Sequence, residues 1–213
     1  MATRRLIVQE LVSVDGFVAG PSGELDFFEA VSDYSAVDQD NLSILDQVDT
    51  ILLGSKTYRM FVEYWPTAED ELMADVVNST PKIVFSSTLD RAPWGRFAPA
   101  RVLKGSAVDH LQQLRREPGR DLMVWGSISL AQSLLKAGLV DEIQLRVIPT
   151  MVGHGRTLLT EDTGRQDLTL LEAKPYGSGI VSLRYAVTTT DQYGFEAGSR
   201  RPGPSSGPMT TPI

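Results

Sequence analysis

Ile51-Leu52-Leu53-Gly54-Ser55-Lys56-Thr57 holds the reading of the fold in seven residues. A continuous apolar run, too short for a helix, predicts a strand buried on both faces, as in parallel sheets. It ends on Gly, Ser, Lys and Thr. Glycine lets a ligand approach the backbone closely, and free N–H groups at a helix start attract phosphate. Three further runs repeat the pattern. Leu6-Ile7-Val8 leads to Ser13-Val14-Asp15-Gly16, Ile83-Val84-Phe85 runs into Ser86-Ser87-Thr88, and Leu122-Met123-Val124-Trp125 into Gly126-Ser127-Ile128-Ser129. One such junction is an ordinary cap or turn. Four on the edge where open α/β sheets gather ligands predict a nucleotide site.

Between the runs, helical spacing joins Leu42, Leu45 and Val48, then Val108, Leu111 and Leu114, then Ile128, Ala131, Leu134 and Leu135, with Gly138 placed as a C-cap. After residue 140 the period becomes two. Ile143, Leu145 and Val147 alternate with Gln144 and Arg146, and Leu183, Tyr185 and Val187 with Ser182, Arg184 and Thr188. This predicts half-buried antiparallel strands, with Leu168-Thr169-Leu170-Leu171 between them in sequence and a turn at residues 175–179. The expected fold class is α/β, a mixed sheet flanked by helices, parallel first and antiparallel at its end. One domain is expected over residues 1–190. Residues 191–213, rich in Gly, Pro, Ser and Thr, read as a disordered tail.

The chain has 213 residues and a net charge of −7, a balance that repels a nucleic-acid backbone. With no Cys, disulfides, thiol nucleophiles and Cys-based zinc sites are excluded. His110 and His154 are the only histidines and show no metal-ligand spacing, so no metal is expected. No apolar stretch reaches the roughly 18 residues of a spanning helix, and the N-terminus lacks a secretory pattern. The expectation is a cytoplasmic protein with a small-molecule partner. Neither G-x-G-x-x-G after a strand nor G-x-x-x-x-G-K-[ST] occurs.

Taken in order, residues 13–20, Leu53-Gly54-Ser55-Lys56-Thr57-Tyr58, residues 82–87 and Val124-Trp125-Gly126-Ser127 resemble the dihydrofolate reductase superfamily. The stretch 134–142, followed by Pro149 and Gly153-His154-Gly155, resembles its branch shared with the reductase domain of riboflavin biosynthesis. The resemblance covers residues 4 to 188. It implies reduced NADP (NADPH) across the strand ends, with pyrophosphate near Gly54, Lys56 and Thr57 on one side and Gly126, Ser127 and Ile128 on the other. Ser86 and Ser87 match positions near the adenosine 2′-phosphate, and Val14 and Asp15 the loop beside the nicotinamide, with Ser13 a further candidate cofactor contact. Ser55 stands where an Arg commonly helps hold that phosphate, so NAD stays open as cofactor. Thr80 stands where folate reductases carry an Arg, which argues against folate. A zinc deaminase signature is missing.

The resemblance thus implies hydride delivery to a C=N or C=O group of a small heterocyclic or sugar-linked substrate, of the type of 5-amino-6-(5-phosphoribosylamino)uracil. The alternative is a non-catalytic nucleotide-binding or interaction protein that kept the fold. Asp15 reads either as the catalytic carboxylate beside the nicotinamide or as a turn residue before Gly16. Glu24, Asp26 and Asp33 are candidate proton donors or surface acids. Asp26, Phe27 and Trp65 are candidate substrate contacts, the aromatics by stacking on a planar ring. A homodimer is expected. The resemblance implies one, and the apolar Val147, Ile148, Leu183, Tyr185 and Val187 sit near a sheet end that a second copy would cover.

Overall fold

Helices lie on both faces of one large sheet, which is why the apolar runs are continuous and not alternating. The computed structural model describes residues 3–188, and the expected tail lies outside them. In chain order the elements are β1 (Leu6–Ser13), β2 (Phe17–Ala19), α1 (Ser35–Leu45), β3 (Val48–Gly54), α2 (Ser55–Tyr64), α3 (Ala74–Ser79), β4 (Lys82–Phe85), β5 (Ala92–Trp94), β6 (Phe97–Leu103), α4 (Ala107–Leu114), β7 (Asp121–Trp125), α5 (Ile128–Lys136), β8 (Glu142–Ile148), β9 (Arg156–Thr157), β10 (Asp167–Pro175) and β11 (Val181–Thr188). The sheet order is β10-β11-β8-β1-β7-β3-β4-β6-β5, with β2 and β9 forming a separate ribbon. Strands β8, β1, β7, β3, β4 and β6 run parallel, and β11, β10 and β5 are antiparallel additions.

Alternation along the strands splits the core in two. Leu6, Val8, Leu122 and Val124 pack under α4 and α5 against Leu111, Leu130, Ala131 and Leu134. Ile7, Ile51, Leu53 and Met123 face α1, α2 and α3, meeting Leu45, Tyr58 and Val77. Fully burying one such side chain contributes roughly 1.5–3 kcal/mol, so each face holds its helices firmly. Gly138 has φ +65 just past the end of α5, as a C-terminal glycine should.

Three expectations need correction. Val48 does not continue the helix of Leu42 and Leu45; the chain turns at Asp46 and Val48 opens β3. β8 is not wholly antiparallel, since it runs parallel to β1 and antiparallel to β11. Its burial also departs from the expected alternation, although Ile143 is buried as expected. Gln144 and Arg146 are buried while Leu145 and Val147 are half-exposed, because α1 covers the polar face and hydrogen bonds satisfy most of it. Among the described residues no helix is long and apolar enough to cross a membrane.

Candidate functional site

The site begins where β3 and β7 end side by side. Their parallel register, Leu52 opposite Val124, brings the β3–α2 and β7–α5 junctions together. Two hydrogen bonds tie them: Gly54 N–H donates to Ser127 Oγ at 2.9 Å, and Thr57 Oγ1 donates to the Gly126 carbonyl at 2.9 Å. Ser127 therefore spends its hydroxyl on the neighbouring junction, and neither α2 nor α5 has a side-chain cap. The orphan first-turn N–H groups of both helices, with their partial positive charge, meet one cavity of about 420 Å³. Gly54, Lys56, Thr57, Gly126, Ser127 and Ile128 all line it. Gly126 sits at φ +62, the left-handed region that suits glycine.

Sequence reading missed Arg156, which also lines this cavity. β9 carries it there by pairing with β2, and Gly155 makes that pairing possible. A Cβ on Gly155 would lie 2.2 Å from the Ala19 carbonyl oxygen. The available signal was the Gly-His-Gly-Arg stretch, which as a glycine motif looks incomplete.

Four candidate cofactor contacts lie off the cavity lining. Ser86 Oγ accepts from the Thr88 and Leu89 N–H groups and so shapes a turn; Ser87 is exposed, and the preceding Phe85 is the lining residue. Ser13 is buried, donating to Asp15 and accepting from Phe17 N–H, whereas Val14 is 61% exposed. Asp15 accepts from Ser13 Oγ at 2.6 Å, from Gly153 N–H at 2.7 Å and from Val152 N–H at 3.1 Å. These donors, the Ser13 hydroxyl first, hold its carboxyl down at about 2. Asp15 thus clamps the loop after β1 to the loop after β8 in its ionised form.

A second cavity, of about 690 Å³, opens between α1, α2 and the sheet. Met60 lines both cavities, so they adjoin. Trp65, a predicted contact, lines it with Trp125 at 5.9 Å between ring centroids, and Phe61 meets Trp125 edge-on at 5.5 Å. Phe27 instead packs in the core with Val31, Val37 and Ile148, and its neighbour Phe28 faces the cavity. Asp26 is exposed and lines neither cavity. Asp33 does line it, and its carboxylate accepts the Ser35 N–H at 2.9 Å.

The floor is a polar ladder. Gln9 Nε2 donates to Gln144 Oε1 at 2.9 Å and to Asn41 Oδ1 at 3.2 Å; Arg146 donates to Asn41 Oδ1 at 2.8 Å and to Ser182 Oγ at 2.6 Å. Beside it stands Asp38, which sequence reading also missed. Burial pushes its carboxyl up, and the nearby Glu71 adds to the rise. Asp38 and Asn41 share the face of α1 that carries Leu42 and Leu45, at i, i+3, i+4 and i+7. Two polar residues on an apolar stripe were the legible sign.

The mixed sheet, the paired βα junctions at its carboxyl edge and the antiparallel end define a dihydrofolate reductase-like fold. Enterococcus faecalis dihydrofolate reductase, solved with NADP(H), superposes at TM-score 0.55 and 14% identity, covering 86% of this chain and 96% of that one. A Thermotoga maritima diaminohydroxyphosphoribosylaminopyrimidine deaminase/5-amino-6-(5-phosphoribosylamino)uracil reductase superposes at 0.61 and 11% identity, covering 87% and 57%. Within that fold the chain belongs to the RibD C-terminal domain family, which matches residues 4–182. Bacillus subtilis (strain 168) YyaP is 30% identical over 186 residues, 85% of this chain and 94% of YyaP.

Proposed function

We propose that the protein is a nicotinamide-dependent reductase that binds NADPH in the 420 Å³ cavity and reduces a C=N or C=O group of a small molecule in the 690 Å³ cavity. The observation that carries this reading is the pair of uncapped helix N-termini, locked to each other by the Thr57 and Ser127 bonds, beside a second cavity that shares Met60. The donor set fits a dinucleotide: first-turn N–H groups and Lys56 suit the pyrophosphate, Gly126 leaves the backbone bare, and Arg156 offers a cation to a further phosphate. The family membership and the NADP(H)-bound fold relative support the same cofactor.

A bound dihydronicotinamide supplies the hydride, and the protein supplies position and a proton. Phe61, Trp65 and Trp125 wall the substrate side and exclude water. Asp38 lines the cavity beside the polar floor, and burial raises its carboxyl above the usual range, which suits it as the acid that gives a proton to a nitrogen or oxygen of the substrate. Asp15 keeps the loop after β1 fixed to the loop after β8.

The test is direct. NADPH at a hundredfold excess over its dissociation constant should stabilise the fold by roughly 2.7 kcal/mol, read as a rise in Tm. No shift with millimolar NADPH or NADH defeats the reading.

A further inference from the structure

Arg146 is an unusual residue to find under a helix. Its side chain is 2% exposed, and its guanidinium bridges two neutral oxygens, Ser182 Oγ at 2.6 Å and Asn41 Oδ1 at 2.8 Å. No carboxylate pairs with it among the described residues; Asp40 and Glu172 act on it only from a distance. A buried cation held in this way weighs against folding, so what it contributes is the geometry of its partners.

That geometry centres on Asn41. Its Oδ1 takes two donors, Arg146 and, at 3.2 Å, Gln9 Nε2. A side-chain amide accepts on one side and donates on the other, so two donors at the oxygen fix which way it faces. The N–H groups are left for Asp38, which stands three residues earlier on the same face of α1. Hydrogen bonding from Asn41 does act on Asp38, drawing its carboxyl down against the burial that raises it. The charge of Arg146 acts in the same sense, while Glu71 and Asp33 oppose it. Tyr34 and Tyr64 feel the Asp38 charge in turn, and Glu10 and Asp70 complete the acidic lining of the cavity.

We infer that Asn41, its amide fixed by Arg146 and Gln9, is the positioning residue of Asp38: it donates an Nδ2–H to one carboxyl oxygen and so leaves the proton of the acid on the other. An oxygen that already accepts an N–H is the poorer place for a proton, since a protonated carboxyl has one donor and one free acceptor oxygen. When Asp38 gives its proton to a substrate nitrogen or oxygen, the O–H bond breaks and the carboxylate that remains keeps the Asn41 bond. Its new charge meets a donor already in place. The inference deepens the proposed function and rests on its assignment of Asp38 as the acid.

NMR of protein labelled at the aspartate carboxyls tests it, the Asp38 signal being identified by its loss in Asp38→Asn. In the unaltered protein the Asn41 side-chain amide protons should shift with pH at the same midpoint as the Asp38 carboxyl. Asn41→Leu and Arg146→Met should each raise that midpoint by at least about half a pH unit, because each takes support from the ionised form. In the Asn41→Leu background Arg146→Met should add less than half of what it adds alone, since it acts through the amide. An Asn41 amide indifferent to the Asp38 titration overturns the inference, and that reading needs no variant to fold. So do variants that lower Tm yet leave the midpoint unmoved, which marks a merely structural ladder, and an Arg146 effect of equal size in both backgrounds, which marks charge acting through space. NADPH affinity, measured on the same samples, reports on the reductase reading separately. Its loss with the coupled titration intact defeats that reading alone, and NADPH binding beside an Asp38 that ignores Asn41 defeats only the inference.

Discussion

Thr57 Oγ1 donates to the carbonyl of Gly126 across the gap between two helix starts, at 2.9 Å. With the Gly54 to Ser127 bond beside it, this sets the spacing of the two sets of free N–H groups before any ligand arrives. Preorganisation of that kind lowers the ordering cost of binding.

Thr57→Val keeps the shape of a buried side chain and removes this bond. A neutral hydrogen bond contributes about 0.5–1.5 kcal/mol, so NADPH affinity should fall by up to about tenfold while the protein stays folded. Fluorescence titration with NADPH measures it. Unchanged affinity would mean that the two junctions do not act as one site.

The two glycines of the site should differ in how they fail. Gly126→Ala meets nothing closer than Thr57 Cγ2 at 3.6 Å, so its penalty is the left-handed backbone, about 1–2 kcal/mol. Gly155→Ala has no room, with the Ala19 carbonyl oxygen at 2.2 Å, and must part β9 from β2. Arg156 should then leave the cavity, and NADPH affinity should drop more than for Gly126→Ala. Equal losses would separate the β2–β9 ribbon from cofactor binding.

The strands of the parallel core could be read from Leu6, Ile51, Ile83 and Leu122 because burial on both faces leaves a one-dimensional signature. The cofactor-side junctions followed, since Gly54, Thr57, Gly126 and Ser127 lie directly after those strands. The substrate side was harder. Arg146 and Gln144 alternate with apolar residues as a solvent face would, and only the packing of α1 over β8 makes them a floor. Arg156 and Asp38 each left a faint local sign, the paired glycines before Arg156 and the polar positions on the apolar stripe of α1, but which cavity they line is set by contacts distant in sequence. The strands β5 and β6 also escaped notice, Pro93 and Pro99 breaking any clean alternation.

Glu10 should make the protein less stable as pH rises from about 4.5 to 8. Its side chain lies on the face of β1 that carries Leu6 and Val8, and burial raises its carboxyl to about 8. Folding therefore favours the protonated acid. In that window the native state binds the extra proton, and each pH unit costs at most about 1.4 kcal/mol. Glu10→Gln should remove the decline in urea-melt stability between pH 5 and 8. A decline that persists would assign it to other groups.

Lys82 gives the opposite slope above that window. Its Nζ donates to the carbonyls of Thr80 at 2.6 Å and Asn78 at 3.1 Å, stands 4.4 Å from the Trp94 ring centroid, and is lowered by burial to about 8. The unfolded chain binds the extra proton between pH 8 and the ordinary lysine value of 10.5, so stability should rise with pH there. Tyr64 and Tyr176, both raised to about 12, begin to oppose it only above about pH 10, where unfolded tyrosines ionise. Lys82→Met should flatten the rise from pH 8 to 10. If the slope is unchanged, the lysine does not carry it.

The last prediction concerns a second copy of the chain. The residues first expected to need covering lie inward of the true edge: Ile148 is fully buried, and Leu183, Tyr185 and Val187 sit on β11 between β8 and β10. The edge is β10, which leaves Leu168, Leu170 and Leu171 exposed at 42%, 53% and 51%. Leu168 pairs with Val187 and Leu170 with Tyr185, so the edge leucines extend an apolar face that β11 begins. A long exposed edge with an apolar face invites pairing, and a twofold axis through β10 would cover both copies alike. Light scattering should therefore give twice the 23.3 kDa chain mass. Leu170→Glu places a charge on the shared face and should return the monomer mass without changing NADPH affinity, because β10 contributes nothing to either cavity. A wild-type mass of 23.3 kDa at every concentration would defeat the dimer and leave β10 an edge protected by its bulge between Leu170 and Glu172.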